Sequence, residues 1–212
     1  MKIAFIGIGN VGFAIANNLQ KVGYEIFVAT NNPSSESVKK ALLQNPKFEV
    51  KPVQDAVNNC DIVFLATPYQ ANESVLSGIK FSGKPLVDCT NPIGMGPNGL
   101  KHVLNSEKSG SEVVQGLATD AKVVKAFSVY GFENFIDSSF PKYDTKPTML
   151  ICGNDDVAKK QVSVLIEKLG YMTTDTGNLS QALHLEHMTL LWVKMVRVNG
   201  HHPNFVWAYL EK

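Results

Sequence analysis

KIAFIGIGNVGFAIANNLQKVGYEIFVATNNPSS, residues 2–35, decides how the rest of the chain is read. KIAFI (2–6) is an apolar run that reads as a buried strand. Three glycines follow in six residues, Gly7, Gly9 and Gly12, with the spacing G-x-G-x-x-G. Val11, Ile15, Leu19 and Val22 then recur at helical intervals, and EIFVAT (25–30) reads as a second strand. A glycine turn between a strand and a helix is the signature of a diphosphate cradle, although glycines also punctuate ordinary turns. Each glycine has a separate task. Gly7 permits the tight turn, Gly9 leaves room for a pyrophosphate, and Gly12 lets the helix pack closely on the strand. Free amides of the helix beginning near Asn10 would receive the negative charge, aided by the helix dipole. The candidate cofactor-binding stretch is therefore Gly7, Ile8, Gly9, Asn10, Val11 and Gly12.

Proteins that bind NAD usually place Asp or Glu about 20 residues beyond these glycines, on the ribose 2′-hydroxyl. This chain has Thr30 and Asn31 there. With no carboxylate to repel a 2′-phosphate, the pattern favours NADP(H). Thr30, Asn31, Ser34 and Ser35 are candidate donors. A helix over 32–45, with Asn32 as N-cap and Pro33 in its first turn, adds free amides. Two features oppose this. Arg197 is the only arginine, so no guanidinium fork is at hand, and Glu36 adds negative charge nearby. Lys39 and Lys40 read as a solvated helix face.

Further along, FEV (48–50), DIVFLAT (61–67), KPLVDCT (84–90), AKVVKAF (121–127), PTMLICG (147–153) and YMTTD (171–175) read as strands. Helices fit 69–79, 111–119 and 155–169. This alternation predicts an α/β fold: a Rossmann-type, doubly wound, mostly parallel sheet. After residue 178 the pattern changes to a long apolar helix, 179–198, and an aromatic tail. The expected division is a dinucleotide-binding domain over 1–178 and a small C-terminal helical appendage over 179–212, on the substrate side or at a dimer contact.

Bulk composition narrows the partners. The chain has 212 residues, 18% charged, with a net charge of +1, which argues against nucleic acid or an anionic membrane as partner. No apolar run approaches the length of a membrane span. Met1 leads directly into an apolar strand, so no signal peptide is expected. Cys60, Cys89 and Cys152 are odd in number and lack C-x-x-C spacing, which fits a reducing compartment, the cytoplasm. No metal is expected. His184 and His187 share a helix and His201 and His202 are adjacent, but no carboxylate–histidine spacing accompanies them.

In open α/β sheets ligands sit at the carboxyl ends of the strands. Three such ends carry polar side chains: Thr67, Pro68 and Tyr69; Thr90, Asn91 and Pro92; Ser128 and Tyr130. Thr67, Pro68, Tyr69, Asn91 and Pro92 join Thr30, Asn31 and Ser35 as candidate cofactor-binding residues. Strand-to-helix turns favour Thr, Asn and Pro in any case. No acid–base dyad stands out, and the catalytic residues are left open. Hydride exchange between two rings requires positioning above all.

Several motifs together, IAFIGIGNVG, ATN, DIVFLATPY, VDCTNP, KAFSVYG and LICGNDDVAKKQVSVLIEKLGY, resemble the NADP oxidoreductases that use the deazaflavin coenzyme F420. The resemblance covers residues 1 to about 175 and continues more loosely beyond. It implies hydride transfer between a nicotinamide and a flavin-like ring above the sheet edge, with a flavin or deazaflavin as co-substrate, and a homodimer. The family often has Ser-Arg after the second strand, where this chain has Thr30-Asn31. HLEHMTLLWVKM (184–195) looks like a separate branch. A related module in metal-reducing membrane proteins uses an ordinary flavin, so the small-molecule electron acceptor stays open. β-Hydroxyacid dehydrogenases and pyrroline carboxylate reductases share the glycine turn but need a larger helical domain than remains after the last strand. A sensor that binds NADP(H) without turnover is the other alternative. The helix over 183–196 is apolar nearly all round and must be covered, by its own sheet or by a second subunit.

Overall fold

A computed structural model describes the whole chain, Met1–Lys212. The first five strands are β1 (Lys2–Ile6), β2 (Glu25–Ala29), β3 (Glu49–Lys51), β4 (Ile62–Leu65) and β5 (Pro85–Asp88). A hairpin follows, β6 (Ile93–Gly96) and β7 (Gly99–His102). The last strands are β8 (Lys122–Lys125), β9 (Thr148–Gly153) and β10 (Met172–Asp175). The helices are α1 (Asn10–Lys21), α2 (Glu36–Gln44), α3 (Val53–Asn59), α4 (Asn72–Leu76), α5 (Gly110–Leu117), α6 (Glu133–Ile136), α7 (Asp156–Lys168) and α8 (Ala182–Val193).

Eight strands form one sheet in the order β10-β9-β8-β5-β4-β1-β2-β3. All neighbours run parallel except β8 and β9, which are antiparallel. The Rossmann-type, mostly parallel sheet is thus observed, with its outer two strands turned over. Strand order reverses between β1 and β4, so the glycine turn leaves β1 at the switch point where open sheets bind ligands.

The central strands β1, β2, β4 and β5 are apolar and buried over most of their length because both faces are covered. Along β1, Ile3 and Phe5 pack into one layer while Ala4 and Ile6 pack into the other. Phe5 stacks on Phe64 with ring centroids 4.7 Å apart. The first layer is closed by α1, α2, α7 and α8, the second by α3 and α5.

Three local expectations need correction. The helix expected from Asn32 begins at Glu36, with Ser35 as its N-cap. Asn32 is held in a turn instead: its amide donates to Thr30 Oγ1, and its carbonyl accepts from Ser35 N. Helix α3 was not expected, although Val53, Ala56 and Val57 lie at helical spacing and are buried. The β6–β7 hairpin was also missed; its turn signal is the Pro97-Asn98-Gly99 sequence, where Gly99 has φ +94.

Beyond β10 the chain makes a short 3-10 turn (Leu179–Gln181), then α8, then a π turn (Lys194–Val198). Residues 199–212 continue without helix or strand. Ala182, Leu185, Glu186, Thr189 and Trp192 of α8 are buried against the chain's own body. No helix is long and apolar enough to cross a membrane.

Candidate active site

The glycine turn is shaped by contacts that only hydrogen permits. Gly7 has φ +95, and a Cβ there would lie 2.7 Å from the Ala66 and Thr67 backbone at the end of β4. A Cβ on Gly12 would lie 2.3 Å from Gly7 O. Gly9 is different: a Cβ would meet nothing within 4 Å. Its missing side chain serves no packing need, so the open space beside it is free for a ligand. Gly9 is also the N-cap of α1, and no side chain caps that end. Phe13 N donates the first helical bond, to Gly9 O, at 2.8 Å. The amides of Asn10, Val11 and Gly12 therefore have no partner inside the helix. No acidic residue occupies the first turn. A diphosphate fits this cradle in charge and in space.

To one side, at the end of β2, lie Thr30, Asn31 and Ser35. Asn31 Oδ1 accepts from Val53 N at 3.2 Å, at the start of α3, and Thr30 Oγ1 accepts from Asn32 N at 3.0 Å. Both side-chain oxygens are thus engaged as acceptors, which leaves the Thr30 hydroxyl proton and the Asn31 amide hydrogens as donors.

To the other side, the ends of β4 and β5 are tied together. Thr67 Oγ1 donates to Asn72 Oδ1, and Asn72 Nδ2 donates to Thr90 Oγ1, both at 2.9 Å. Asp88 Oδ1 accepts from Thr90 N and Thr90 Oγ1, while Asp88 Oδ2 accepts from Ser111 Oγ at 2.6 Å. Asn91 Nδ2 donates to Cys89 O at 3.3 Å, but its buried Oδ1 has no partner. Buried polar atoms are nearly always paired, so this oxygen awaits a donor. Tyr69 and Pro92 meet over Gly110, where a Cβ would lie 2.9 Å from the Tyr69 ring and 3.0 Å from Pro92 Cδ.

Beneath this edge lies a charge cluster absent from the sequence-based candidates. Lys125 Nζ is 3.5 Å from Asp88 Oδ2 and 3.5 Å from Glu186 Oε1, with all three side chains fully buried. Lys125 also donates to Thr90 O. Burial alone would lower the lysine pKa, but the Asp88 and Glu186 carboxylates outweigh it and hold the ammonium above the ordinary lysine value. Glu186 Oε2 lies 2.8 Å from His102 Nε2 and accepts from Gly110 N at 3.0 Å, so it also satisfies the start of α5. Ser106 N donates to His102 Nδ1 at 3.3 Å, which leaves Nε2 as the protonated nitrogen that donates to Glu186. Tyr69 above is raised first by burial and then by Glu186 and Asp88. The signal in the sequence was a single acid in the apolar helix ALHLEHMTLLWV and a lysine ending the strand KVVK. A lone charge inside an apolar element must find a partner.

The end of β8 carries the segment Phe127–Gly131. Phe127 (φ 50) and Val129 (φ 67) both adopt left-handed backbone, and Val129 is β-branched. Such conformations cost about 1–3 kcal/mol each and cluster at functional sites. Ser128, between them, is buried and its hydroxyl has no partner. The Tyr130 hydroxyl is spent on Thr148 O. The histidines are dispersed: His187 stacks on His102 at 5.2 Å, and His184, His201 and His202 are exposed. No group of three His, Cys, Asp or Glu residues could hold a metal. A cavity of about 550 Å³ lies beside this edge rather than on it. It begins at Gly9 and Asn10 and runs along α1 between Phe13, Lys40 and Phe132.

Residues 2–92 match the family model described as NADP oxidoreductase, coenzyme F420-dependent. The chain is 29% identical over 209 residues to the F420-dependent NADP reductase of Methanocaldococcus jannaschii, covering 91% of each. It is 27% identical over 190 residues to metalloreductase STEAP3 of Rattus norvegicus, covering 89% of this chain but spanning only 36% of that longer protein. The crystal structure of a candidate F420-dependent NADP reductase from Arthrobacter sp. FB24 superposes with a TM-score of 0.82 at 25% identity. That match covers 99% of this chain and 100% of the other. The glycine turn and the switch-point edge both lie inside the segment, residues 2–92, that is similar to the NADP oxidoreductase, coenzyme F420-dependent family.

Proposed function

We propose that the chain binds NADP(H) across the glycine turn and exchanges a hydride with a small flavin-like acceptor at the carboxyl edge. The observation that carries this reading is the cradle at Gly9, open where a Cβ would stand and bordered by unpartnered helix amides. Asn10, Val11 and Gly12 hold the diphosphate through their backbone amides. Thr30, Asn31 and Ser35, with the first amides of α2, receive the 2′-phosphate in place of an acid. Asn91 offers its unpaired oxygen to an amide hydrogen at the nicotinamide end. Thr67, Pro68, Tyr69 and Pro92 frame that end, and the Asp88–Lys125–Glu186 cluster fixes the frame from below. When bound, the cofactor supplies the hydride. The chain's task is alignment and exclusion of water, which needs no acid–base residue.

The names of the relatives support a deazaflavin or flavin as acceptor and keep ferric complexes among those to be tried. In this reading residues 1–178 form the dinucleotide-binding domain and 179–212 the appendage on the acceptor side. The free, buried cysteines suit a reducing cytoplasm. Leu191 (51% exposed) and Val198 (64% exposed) lie on the outer side of the appendage, where a second copy completes a homodimer. A light-scattering mass of one chain at micromolar concentration would remove the dimer.

The test follows nicotinamide absorbance with a panel of flavins, deazaflavin, quinones and ferric chelates. Turnover with at least one acceptor is expected, with NADPH bound at least tenfold more tightly than NADH. Equal or tighter NADH binding overturns the choice of cofactor. Tight NADPH binding without turnover by any acceptor overturns the enzyme reading in favour of a sensor.

A further inference from the structure

Val129 is held by the C-terminal part of the chain at both of its backbone polar groups. Its amide donates to Thr189 Oγ1 of α8 at 2.9 Å. Its carbonyl accepts from Trp207 Nε1 at 3.1 Å. The Thr189 hydroxyl in turn donates to Leu185 O at 3.0 Å, so its proton is directed away and its lone pair toward Val129. Next along the segment, the Trp192 ring lies where a Gly131 Cβ would stand, 2.3 Å away. Trp192 stacks on Phe205, and Phe205 meets Trp207 edge-on, with centroids 5.8 and 5.7 Å apart. The tail is itself fastened to the sheet: Thr148 N donates to Trp207 O at 2.9 Å, and Tyr209 N to Thr148 Oγ1 at 2.8 Å.

We propose that Thr189 and Trp207 are positioning residues for the redox edge, a two-sided latch that holds the strained turn around Ser128. Left-handed backbone at two non-glycine residues persists only where the surroundings over-determine it. Here the surroundings are α8 and residues 203–209, which supply none of the close contacts at Gly7 and Gly12 of the cofactor cradle. Unlatched, Phe127 and Val129 relax toward ordinary backbone, and the wall at the end of β8 shifts relative to the β5 edge. The diphosphate, held at the other side of the switch point by Gly9 and α1, is unaffected. The latch therefore acts on the transfer step and spares cofactor affinity. This inference rests on the oxidoreductase reading above.

Three variants in the full chain test it: Thr189→Val, which keeps the shape and removes the hydroxyl; Thr189→Ser, which restores it; and Trp207→Phe, which removes the indole N–H together with one of its two rings and keeps an aromatic face. Two measurements are made: steady-state kinetics with NADPH and the best acceptor, and hydrogen exchange of the Val129 amide. T189V and W207F are expected to lower kcat at least tenfold, with KM for NADPH within threefold of wild type. Both should speed Val129 exchange at least tenfold. T189S should stay within threefold of wild type in each. A kcat in T189V and W207F equal to that of wild type, or a T189S loss as large as that of T189V, overturns the proposal. So does Val129 exchange as slow in both variants as in wild type, whether or not an acceptor is known. A wild-type protein that turns over no acceptor fails the oxidoreductase reading instead, and that is read from the unsubstituted chain.

Discussion

Gly7 and Gly9 are the same residue two positions apart, yet the fold requires only Gly7, and the proposed ligand requires Gly9. Gly7→Ala places a Cβ 2.7 Å from backbone at a φ of +95, so it is expected to destabilise the fold by about 1–3 kcal/mol. Gly9→Ala meets no atom of the chain, so its Tm is expected to match wild type while the KM for NADPH rises at least tenfold. Thermal melts beside steady-state kinetics separate the two, and a Gly9→Ala protein with unchanged KM would remove the cradle. Lys125 is a second decisive residue. Lys125→Met leaves Asp88 and Glu186 buried without their cation and is expected to cost about 3–5 kcal/mol in urea unfolding. The lysine is raised in the folded state above its unfolded value of about 10.4. Its contribution is therefore complete below that value and is lost as pH climbs through the raised folded one, a limb that Lys125→Met abolishes. The glycines were legible because their spacing is a local pattern. Lys125, Asp88 and Glu186 were not, because their meeting depends on elements far apart in sequence. Each charge signalled only that it needed a partner, not which one.

At the scale of elements, α5 is the helix with the most complete start. Ser109 Oγ accepts from Glu112 N at 3.1 Å, and Glu112 Oε2 accepts from Ser109 N at 2.9 Å, a reciprocal capping box. Ser109→Ala is expected to destabilise the protein by about 1 kcal/mol, measured by urea midpoint at constant m. A larger kcat loss than that stability change explains would show α5 pulling on Glu186 through Gly110 and Ser111. Strands β1, β2, β4, β5 and β9 were legible because each is a mostly apolar run bounded by turn residues. Helix α2 was placed too early for a physical reason. Asn32-Pro33 is a fair helix start by composition, but the Thr30 hydroxyl captures the Asn32 amide and bends the chain into a turn first. Helix α3 hid in a segment of seven residues whose apolar spacing gives fewer than two turns of signal. The hairpin β6–β7 is glycine-rich and only partly buried, so neither alternation nor apolar content marked it.

Over the whole molecule, the three thiols report on the integrity of the sheet. Burial raises Cys60 to about 11 and Cys152 to about 12, and raises Cys89 further still. None is a thiolate at pH 8, so iodoacetamide is expected to label none in the native protein and all three in denaturant; native labelling would show the sheet opening locally. The doubly wound architecture was legible from the strand–helix alternation, but the reversal of β9 and β10 was not, since single-strand patterns carry no direction. That reversal has a consequence for how such molecules diversify. Because β10 ends near the start of β8, α8 brings Glu186, Thr189 and Trp192 to Lys125, Val129 and Gly131 at the end of β8 from the chain's final stretch. Under the proposed function, coenzyme grip and acceptor choice lie on two separable lengths of polypeptide. A chimera that takes a relative's sequence from residue 177 onward should keep its NADPH Kd and inherit the donor's preference among oxidants.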